Sequence, residues 1–214
     1  MILYLVRHGE TAYNRDGRGL GRSDIPLTEA GEQQAAALGA RLATTRLDRI
    51  FTSPLLRARQ TARAIAGERQ IAMEPREELT EMDVGETDGL TMAEMRPRYP
   101  DFLRRWAGEE CAAVRMPGGE SLEDVRARLR PLMEELQVLS SAADATIAIV
   151  SHNFTLKVLF CELLRVELAK FRSFTLDLAS LSTVVLREGR VSVRALNDRC
   201  HLMSLNLDPA ERSF

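Results

Sequence analysis

Two short runs of consecutive apolar residues constrain the fold of this chain most strongly. Residues 2–7 and 145–151 are rich in Ile, Leu, Val and Ala, and each run is followed at once by a histidine, His8 or His152. Short apolar runs without polar alternation are typical of parallel strands that helices cover on both faces. The carboxyl ends of such strands share one edge of the sheet, where α/β proteins bind their ligands. We therefore expect the two histidines to meet at that edge.

The remaining segments alternate between helix and strand patterns. Helices are predicted over residues 28–44, 54–67, 121–139 and 154–164. Further strands are predicted over 49–52 and, as an edge strand, 71–73, with a hairpin over 181–196 that turns at Glu188-Gly189. Residues 79–119 break this pattern with glycines, prolines and the single tryptophan. The pattern predicts an α/β fold, a three-layer α/β/α sandwich with a mainly parallel central sheet and an inserted lid.

We expect the whole chain, residues 1–214, to form a single domain with the lid subdomain at about 85–120, and the segment after Cys200 to be a loose tail. Trp106 and Phe102 in the lid either line the substrate entrance or pack the lid onto the body.

Composition excludes several kinds of site. A net charge of −2 with well-mixed charges argues against nucleic acid or a membrane surface as the partner. The three cysteines are far apart and form no Cys/His cluster, so we expect neither zinc nor a disulfide framework. We also expect no cofactor. No leader-like segment precedes the first strand and no apolar run approaches the roughly 20 residues of a membrane span, so we expect a cytoplasmic protein. The exposed edge of the hairpin could pair two chains into a homodimer.

Arginines are predicted beside both histidines. Arg7 precedes His8, and Arg57 lies early in the helix after strand 49–52, again at the carboxyl edge. Guanidinium groups suit the oxygens of phosphate, and a helix N-terminus adds backbone amides. The cluster therefore predicts an anion site. Taken singly, each histidine could instead bond a loop carbonyl, and Arg57 could be a solvated helix charge like the other arginines of its helix.

Six segments, in this order along the chain, resemble blocks of the histidine phosphatase superfamily, the phosphoglycerate-mutase-like fold. They are "RHGET" (7–11) followed by Asn14, "GRSDIPLTEAGEQQA" (21–35), "SPLLRARQTA" (53–62), "LTEMDVGETDG" (79–89), "PGGESLEDVRAR" (117–128) and "IVSHN" (149–153). The resemblance covers roughly residues 2–160 and implies a covalent, two-step phosphoryl transfer.

The resemblance also implies a role for each matching residue. His8 would be the nucleophile that becomes a phosphohistidine, and Glu81 the general acid. Arg7, Arg57 and His152 would complete the catalytic set by holding the phosphoryl oxygens, which needs no metal ion. The predicted substrate-binding residues are Arg7, Asn14, Gly21, Arg57, His152 and Asn153.

Spacing alone does not single out Glu81. It belongs to an acidic cluster of five, with Glu77, Glu78, Asp83 and Glu86, and its selection rests on the match of "LTEMDVG" to the family; Asp83 is the alternative. Two other positions depart from the family pattern. Asn153 follows His152 where glycine is common, and Leu20 stands where a polar residue is frequent. We expect these departures to alter specificity.

The predicted function is hydrolysis of a phosphomonoester, with a small phosphorylated metabolite as substrate. Cofactor-dependent phosphoglycerate mutases carry an arginine and a tyrosine just after the acid, and "EMDVGETDGLT" lacks both. A mutase is nevertheless one alternative, and a non-catalytic phospholigand-binding module, favoured only by Asn153, is another. A metal-dependent phosphatase is a third, which no ligand spacing supports.

Overall fold

A computed structural model of the protein describes residues 1–142, 144–187 and 189–205. Within them, one sheet contains the six strands β1 (Ile2–Arg7), β2 (Arg49–Thr52), β3 (Ala72–Pro75), β4 (Thr146–Ser151), β5 (Leu181–Arg187) and β6 (Arg190–Asp198). The α-helices are α1 (Ala12–Arg15), α2 (Glu29–Leu42), α3 (Leu56–Ala66), α4 (Met92–Arg98), α5 (Pro100–Trp106), α6 (Leu122–Ala142) and α7 (Asn153–Leu164). Short 3₁₀ helices cover Glu77–Leu79, Gly85–Thr87, Glu109–Ala112, Leu168–Ser173 and Cys200–Leu205.

The sheet has the strand order β3-β2-β4-β1-β5-β6. The first four strands in that order are parallel, and the β5-β6 hairpin adds antiparallel to β1. Alternate residues of β4 face opposite layers: Ile147 and Ile149 pack with α6 and α7, whereas Ala148 and Val150 pack with α2 and α3. The mainly parallel sheet between two helical layers is therefore confirmed.

The loop that follows β1 lies tightly against the first turn of α2. The amide of Thr28, the N-cap of α2, donates to Glu10 O (2.9 Å), and Gln34 Oε1 accepts from the amide of Glu10 (2.8 Å). A Cβ built on Gly31 would lie 2.1 Å from Glu10 O, and one on Gly9 would lie 2.6 Å from Gly31 O. Only glycine at these positions allows the two backbones to come so close, and this contact fixes the loop around His8.

Several predicted boundaries differ from those of the structure. Helix α3 begins at Leu56 rather than at Pro54, because residues 53–55 form a turn in which Ser53 Oγ accepts from the amide of Leu55 (3.2 Å). The loose tail predicted after Cys200 is wrong for residues 201–205. They belong to the 3₁₀ helix Cys200–Leu205, in which His201 Nε2 bonds Ala179 O (2.9 Å). Residues 206–214 of that tail, and Glu188 of the hairpin turn, lie outside the described residues.

The lid and the pairing of two chains, both expected at the periphery of the fold, stay predictions. Residues 85–120 hold α4, α5 and two 3₁₀ helices, and a separate lid subdomain there stays a prediction. Strands β3 and β6 form the sheet edges, as expected, whereas pairing of two chains at β6 stays a prediction. Among the helices in the described part of the chain, none is long and apolar enough to cross a membrane.

We predict that Gly31→Ala destabilises the protein, although alanine is the better helix former. The added methyl group must displace the Glu10 backbone, and overpacking of this kind costs about 1–3 kcal/mol. Urea denaturation should therefore show a lower free energy of unfolding. An unchanged or higher stability, as helix propensity alone would give, contradicts the close contact.

Candidate active site

The register of the two central strands brings the two histidines together. β1 and β4 run parallel with Arg7 opposite Ser151, so the residues that follow them, His8 and His152, leave the sheet side by side. Their ring centroids lie 5.0 Å apart, and the amide of His8 donates to Ser151 O (3.1 Å). The meeting of the histidines that the strand pattern predicts is confirmed.

The ring of His8 is held in one tautomer. His8 is 3 % exposed, and its Nδ1 lies 2.7 Å from Gly9 O. A carbonyl oxygen only accepts, so Nδ1 carries the proton and Nε2 keeps its lone pair. Burial and the positive charges of Arg57 and Arg7 hold the pKa of His8 well below its usual 6.5, against the opposing effect of the Gly9 carbonyl. The side chain is therefore a neutral imidazole with a basic nitrogen, the form that a nucleophile requires.

The two arginines are buried and charged. Arg7 is 5 % exposed and Arg57 is fully buried, so the alternative that Arg57 is a solvated helix charge is wrong. Burial lowers the pKa of each to about 10, while Glu81 opposes the shift in both cases. Both groups remain protonated at neutral pH. Arg7 Nη1 donates to Leu176 O (2.7 Å), which anchors its guanidinium.

Arg57 and His152 form a hydrogen-bonded pair. Arg57 Nε donates to His152 Nδ1 (3.2 Å), while its two terminal nitrogens donate to Gly21 O (2.7 Å) and Ser23 O (2.8 Å). Because Nδ1 accepts, His152 Nε2 carries the proton and donates to Ser53 Oγ (2.7 Å). Burial, followed by the charge of Arg57, lowers the pKa of His152 well below 6.5.

The pair and Gly21 do not line the cavity described below. A Cβ on Gly21 would lie 2.7 Å from Val84 Cγ2, so this glycine serves close packing. Direct contact of Arg57, His152 or Gly21 with a substrate stays a prediction.

Glu81 is fixed at the N-terminus of α7. It is 3 % exposed, and its Oε2 accepts from the amide of Phe154 (3.2 Å) while Oε1 accepts from the amides of Thr155 (3.2 Å) and Met82 (2.9 Å). Of the five acids that the sequence left open, Glu81 alone lines the cavity with His8 among the described residues. Asp83 instead caps a turn by accepting from the amide of Gly85 (2.9 Å), and Arg22 lies 3.7 Å from its carboxylate.

One cavity gathers the remaining predicted residues. Its polar end is formed by Arg7, His8, Asn14, Glu81 and Asn153. Asn14 Oδ1 accepts from the Thr11 hydroxyl (2.8 Å), which leaves its NH₂ group as the donor for a ligand. Its apolar wall is formed by Leu20, Val84, Met92, Met95, Phe102, Leu103, Trp106, Met116 and Phe154.

Trp106 and Phe102 both line the cavity and pack residues 85–120 onto the rest of the protein. Their rings stack at 5.8 Å, and Trp106 also contacts Phe154 (6.1 Å) and Phe171 (5.7 Å). Packing of these residues onto the body is therefore confirmed, whereas their place at a substrate entrance stays a prediction.

Sequence reasoning did not find three residues that support this site. Ser53 holds His152 and follows β2 directly, so its place at the strand end was a usable signal. Thr155 donates from its amide to Glu81, and Arg128 of α6 donates to Thr80 O (2.7 Å), which fixes the chain beside Glu81. Arg128 is one of several helix arginines, and nothing in the spacing distinguishes it. In the described parts of the chain, no three His, Cys, Asp or Glu side chains are grouped as ligands for a metal ion.

Comparison with known proteins agrees with this geometry. Residues 3–199 match the family model of the histidine phosphatase superfamily (branch 1). The chain belongs to the histidine phosphatase superfamily. It is 38 % identical over 200 residues to phosphoserine phosphatase 1 of Hydrogenobacter thermophilus, covering 94 % of this chain and 93 % of the relative.

Solved structures give the same result. The alpha-ribazole phosphatase of Shigella flexneri superposes with a TM-score of 0.82 at 27 % identity, over 92 % of this chain and 96 % of the other. A mycobacterial glucosyl-3-phosphoglycerate phosphatase superposes with a TM-score of 0.82 at 30 % identity, over 92 % and 99 %. The family and these relatives identify the chain as a phosphatase of the histidine phosphatase type. The three relatives are named for three different substrates.

We predict that the protein loses stability as the pH falls below about 6.5. The unfolded chain binds protons on His8 and His152 there, and the folded chain keeps both neutral, so protons favour unfolding. Each histidine contributes up to roughly 1.4 kcal/mol per pH unit. Urea denaturation between pH 5 and 8 measures how steeply the free energy of unfolding depends on pH. His8→Gln should reduce this slope by the amount that corresponds to about one bound proton. An equal slope in the variant would show that His8 is protonated in the folded state.

Proposed function

We propose that this histidine phosphatase hydrolyses its phosphomonoester through a phosphohistidine on His8, without a metal ion. The observation that carries the proposal is the bond from His8 Nδ1 to Gly9 O, which leaves Nε2 as a buried, unprotonated nucleophile in the cavity. Attack of Nε2 forms the nitrogen–phosphorus bond and breaks the ester bond. Water then hydrolyses the phosphohistidine and releases inorganic phosphate.

The charges around His8 support this chemistry. Arg7 and Asn14 lie in the cavity wall, and we assign to them the holding of phosphoryl oxygens. Arg57 does not line the cavity, but its positive charge acts on His8 and its Nε bonds His152. Glu81 is the carboxyl group of the cavity wall, and we assign to it the protonation of the leaving alkoxide and the activation of water. We assign to His152 a contact with the phosphoryl group in which its Nε2 exchanges Ser53 for a phosphoryl oxygen.

The cavity wall supports a substrate with an apolar leaving group. Apart from the polar end and from Arg18, Gly19 and Thr87, the wall consists of aliphatic and aromatic side chains, most of them from residues 85–120. Arg18 also lines the cavity, but it donates to Gly89 O (2.7 Å) and lies 3.5 Å from Glu94. A carboxylate on the leaving group would meet Arg18, whose charge is already paired with that of Glu94. We therefore propose small phosphate esters with an apolar or aromatic alcohol as the preferred class.

His8→Ala should lower the kcat for p-nitrophenyl phosphate at least about a thousandfold, because alanine has no nitrogen that can form the covalent intermediate. The assay is release of p-nitrophenol in excess EDTA. His201→Ala is the matched control and should keep most of the activity, since His201 lies outside the cavity. Activity that disappears in EDTA, or that survives in His8→Ala, contradicts the proposed mechanism. Phosphoglycerate isomerisation faster than phosphate release would indicate a mutase instead.

Trp106→Ala should lower kcat/KM for 1-naphthyl phosphate roughly tenfold, because the ring that packs beside an aromatic leaving group is lost. The same variant should change kcat/KM for phosphoserine much less, so each substrate controls for the other. Equal losses on both substrates would show that Trp106 supports the fold of the site and not its selectivity.

A further inference from the structure

Asn153 carries a buried acceptor that no described residue satisfies. The residue is 4 % exposed and lines the cavity, and its Oδ1 has no hydrogen-bond partner. Buried side-chain oxygens in folded proteins are paired in the large majority of cases. An unpaired carbonyl oxygen in a cavity wall is therefore expected to accept from a molecule bound in that cavity.

The acceptor lies beside the two groups that the proposed hydrolysis needs. Asn153 is the first residue of α7, and the next amide, that of Phe154, donates to Glu81 Oε2 (3.2 Å). His8 lines the same cavity, and its ring lies 5.0 Å from that of His152, the residue before Asn153. Oδ1 is thus a second oxygen acceptor in the wall that holds the carboxylate and the nucleophile.

We infer that Asn153 Oδ1 positions the water that hydrolyses the phosphohistidine, an inference that rests on the function proposed above. The water donates one hydrogen to the Glu81 carboxylate and the other to Asn153 Oδ1, which directs its oxygen lone pair at phosphorus. The oxygen–phosphorus bond forms, the first proton passes to Glu81, and the electron pair of the breaking nitrogen–phosphorus bond returns to His8 Nε2. Inorganic phosphate leaves.

This contact belongs to the second step alone. In the first step the ester oxygen lies opposite the nucleophile, and it carries a carbon atom where the attacking water carries its second hydrogen. Oδ1 receives no hydrogen bond from the ester linkage. Loss of the acceptor should therefore slow dephosphorylation more than it slows phosphorylation of His8.

The inference can be tested by letting water and methanol compete for the same phosphohistidine. Methanol has a single O–H hydrogen, which it gives to Glu81, so it gains nothing from Oδ1. With p-nitrophenyl phosphate in methanol-containing buffer, p-nitrophenol reports the first step, and inorganic phosphate against methyl phosphate reports the choice of nucleophile. The variants are Asn153→Leu, which removes the acceptor at similar volume, and Asn153→Asp, which retains an oxygen acceptor.

We expect Asn153→Leu to lower the ratio of inorganic phosphate to methyl phosphate by roughly fivefold, the factor of one neutral hydrogen bond. Rapid quenching should show a burst of p-nitrophenol and accumulation of phosphoenzyme in this variant. Asn153→Asp should keep the wild-type ratio. If circular dichroism shows that Asn153→Leu does not fold, Asn153→Gly takes its place with the same expected result.

Two results overturn the inference. An unchanged ratio in the acceptor-free variant means that Oδ1 does not touch the water, and equal loss in Asn153→Leu and Asn153→Asp means that the NH₂ group acts instead. Failure of the proposed function looks different: the wild type then releases no p-nitrophenol, or His8→Ala releases it equally well.

Discussion

The parallel pairing of β1 with β4 is the interaction on which the site depends. Its register sets Arg7 opposite Ser151, so each strand delivers its histidine to the same level of the sheet edge. Moving one strand by a single residue would reverse which side chains face each helical layer, and both layers are filled by apolar residues. The burial that specifies the fold therefore also specifies the spacing of the two rings. Packing of core residues such as Ile149 therefore fixes the distance between the rings of His8 and His152.

Burial of positive charge is the second constraint. A fully buried guanidinium is costly unless its N–H groups are paired, and Arg57 bonds two carbonyls of residues 21–23 and the ring of His152. These bonds join α3, the loop before α2 and the end of β4, so one charged side chain holds three segments in place. Burial, followed by the same charge, lowers the pKa of His8 well below 6.5. Stability and nucleophile activation therefore share one group, and a change at Arg57 would affect both.

The sequence predicted what depends on local pattern and chain order. The apolar runs around Leu5 and Ile149 identified the two central strands, and their ends identified His8 and His152. It could not predict partners set by tertiary packing. That His152 bonds Ser53 and Arg57, and that Arg128 supports the chain beside Glu81, follows from contacts between elements far apart in sequence.

Residues 85–120 show no periodic pattern, so their part in the cavity wall was visible only in three dimensions. The turn at residues 53–55 delays the start of α3, and Asp24 Oδ1, from a loop far away in the sequence, accepts from the amide of Leu56 (2.6 Å), a contact that the sequence does not reveal.

The strand order has a consequence for synthesis of the protein. β4 lies between β2 and β1, although more than a hundred residues separate it from β1 in the chain. During translation β1 and β2 emerge early, yet neither can complete its pairing until residues 146–151 have left the ribosome. The nascent chain therefore exposes unpaired apolar strands for most of its synthesis, a state prone to association with other chains. Insertion of β4 joins β1 to β2 and brings His152 to His8 in the same event, so the two histidines meet only late in synthesis.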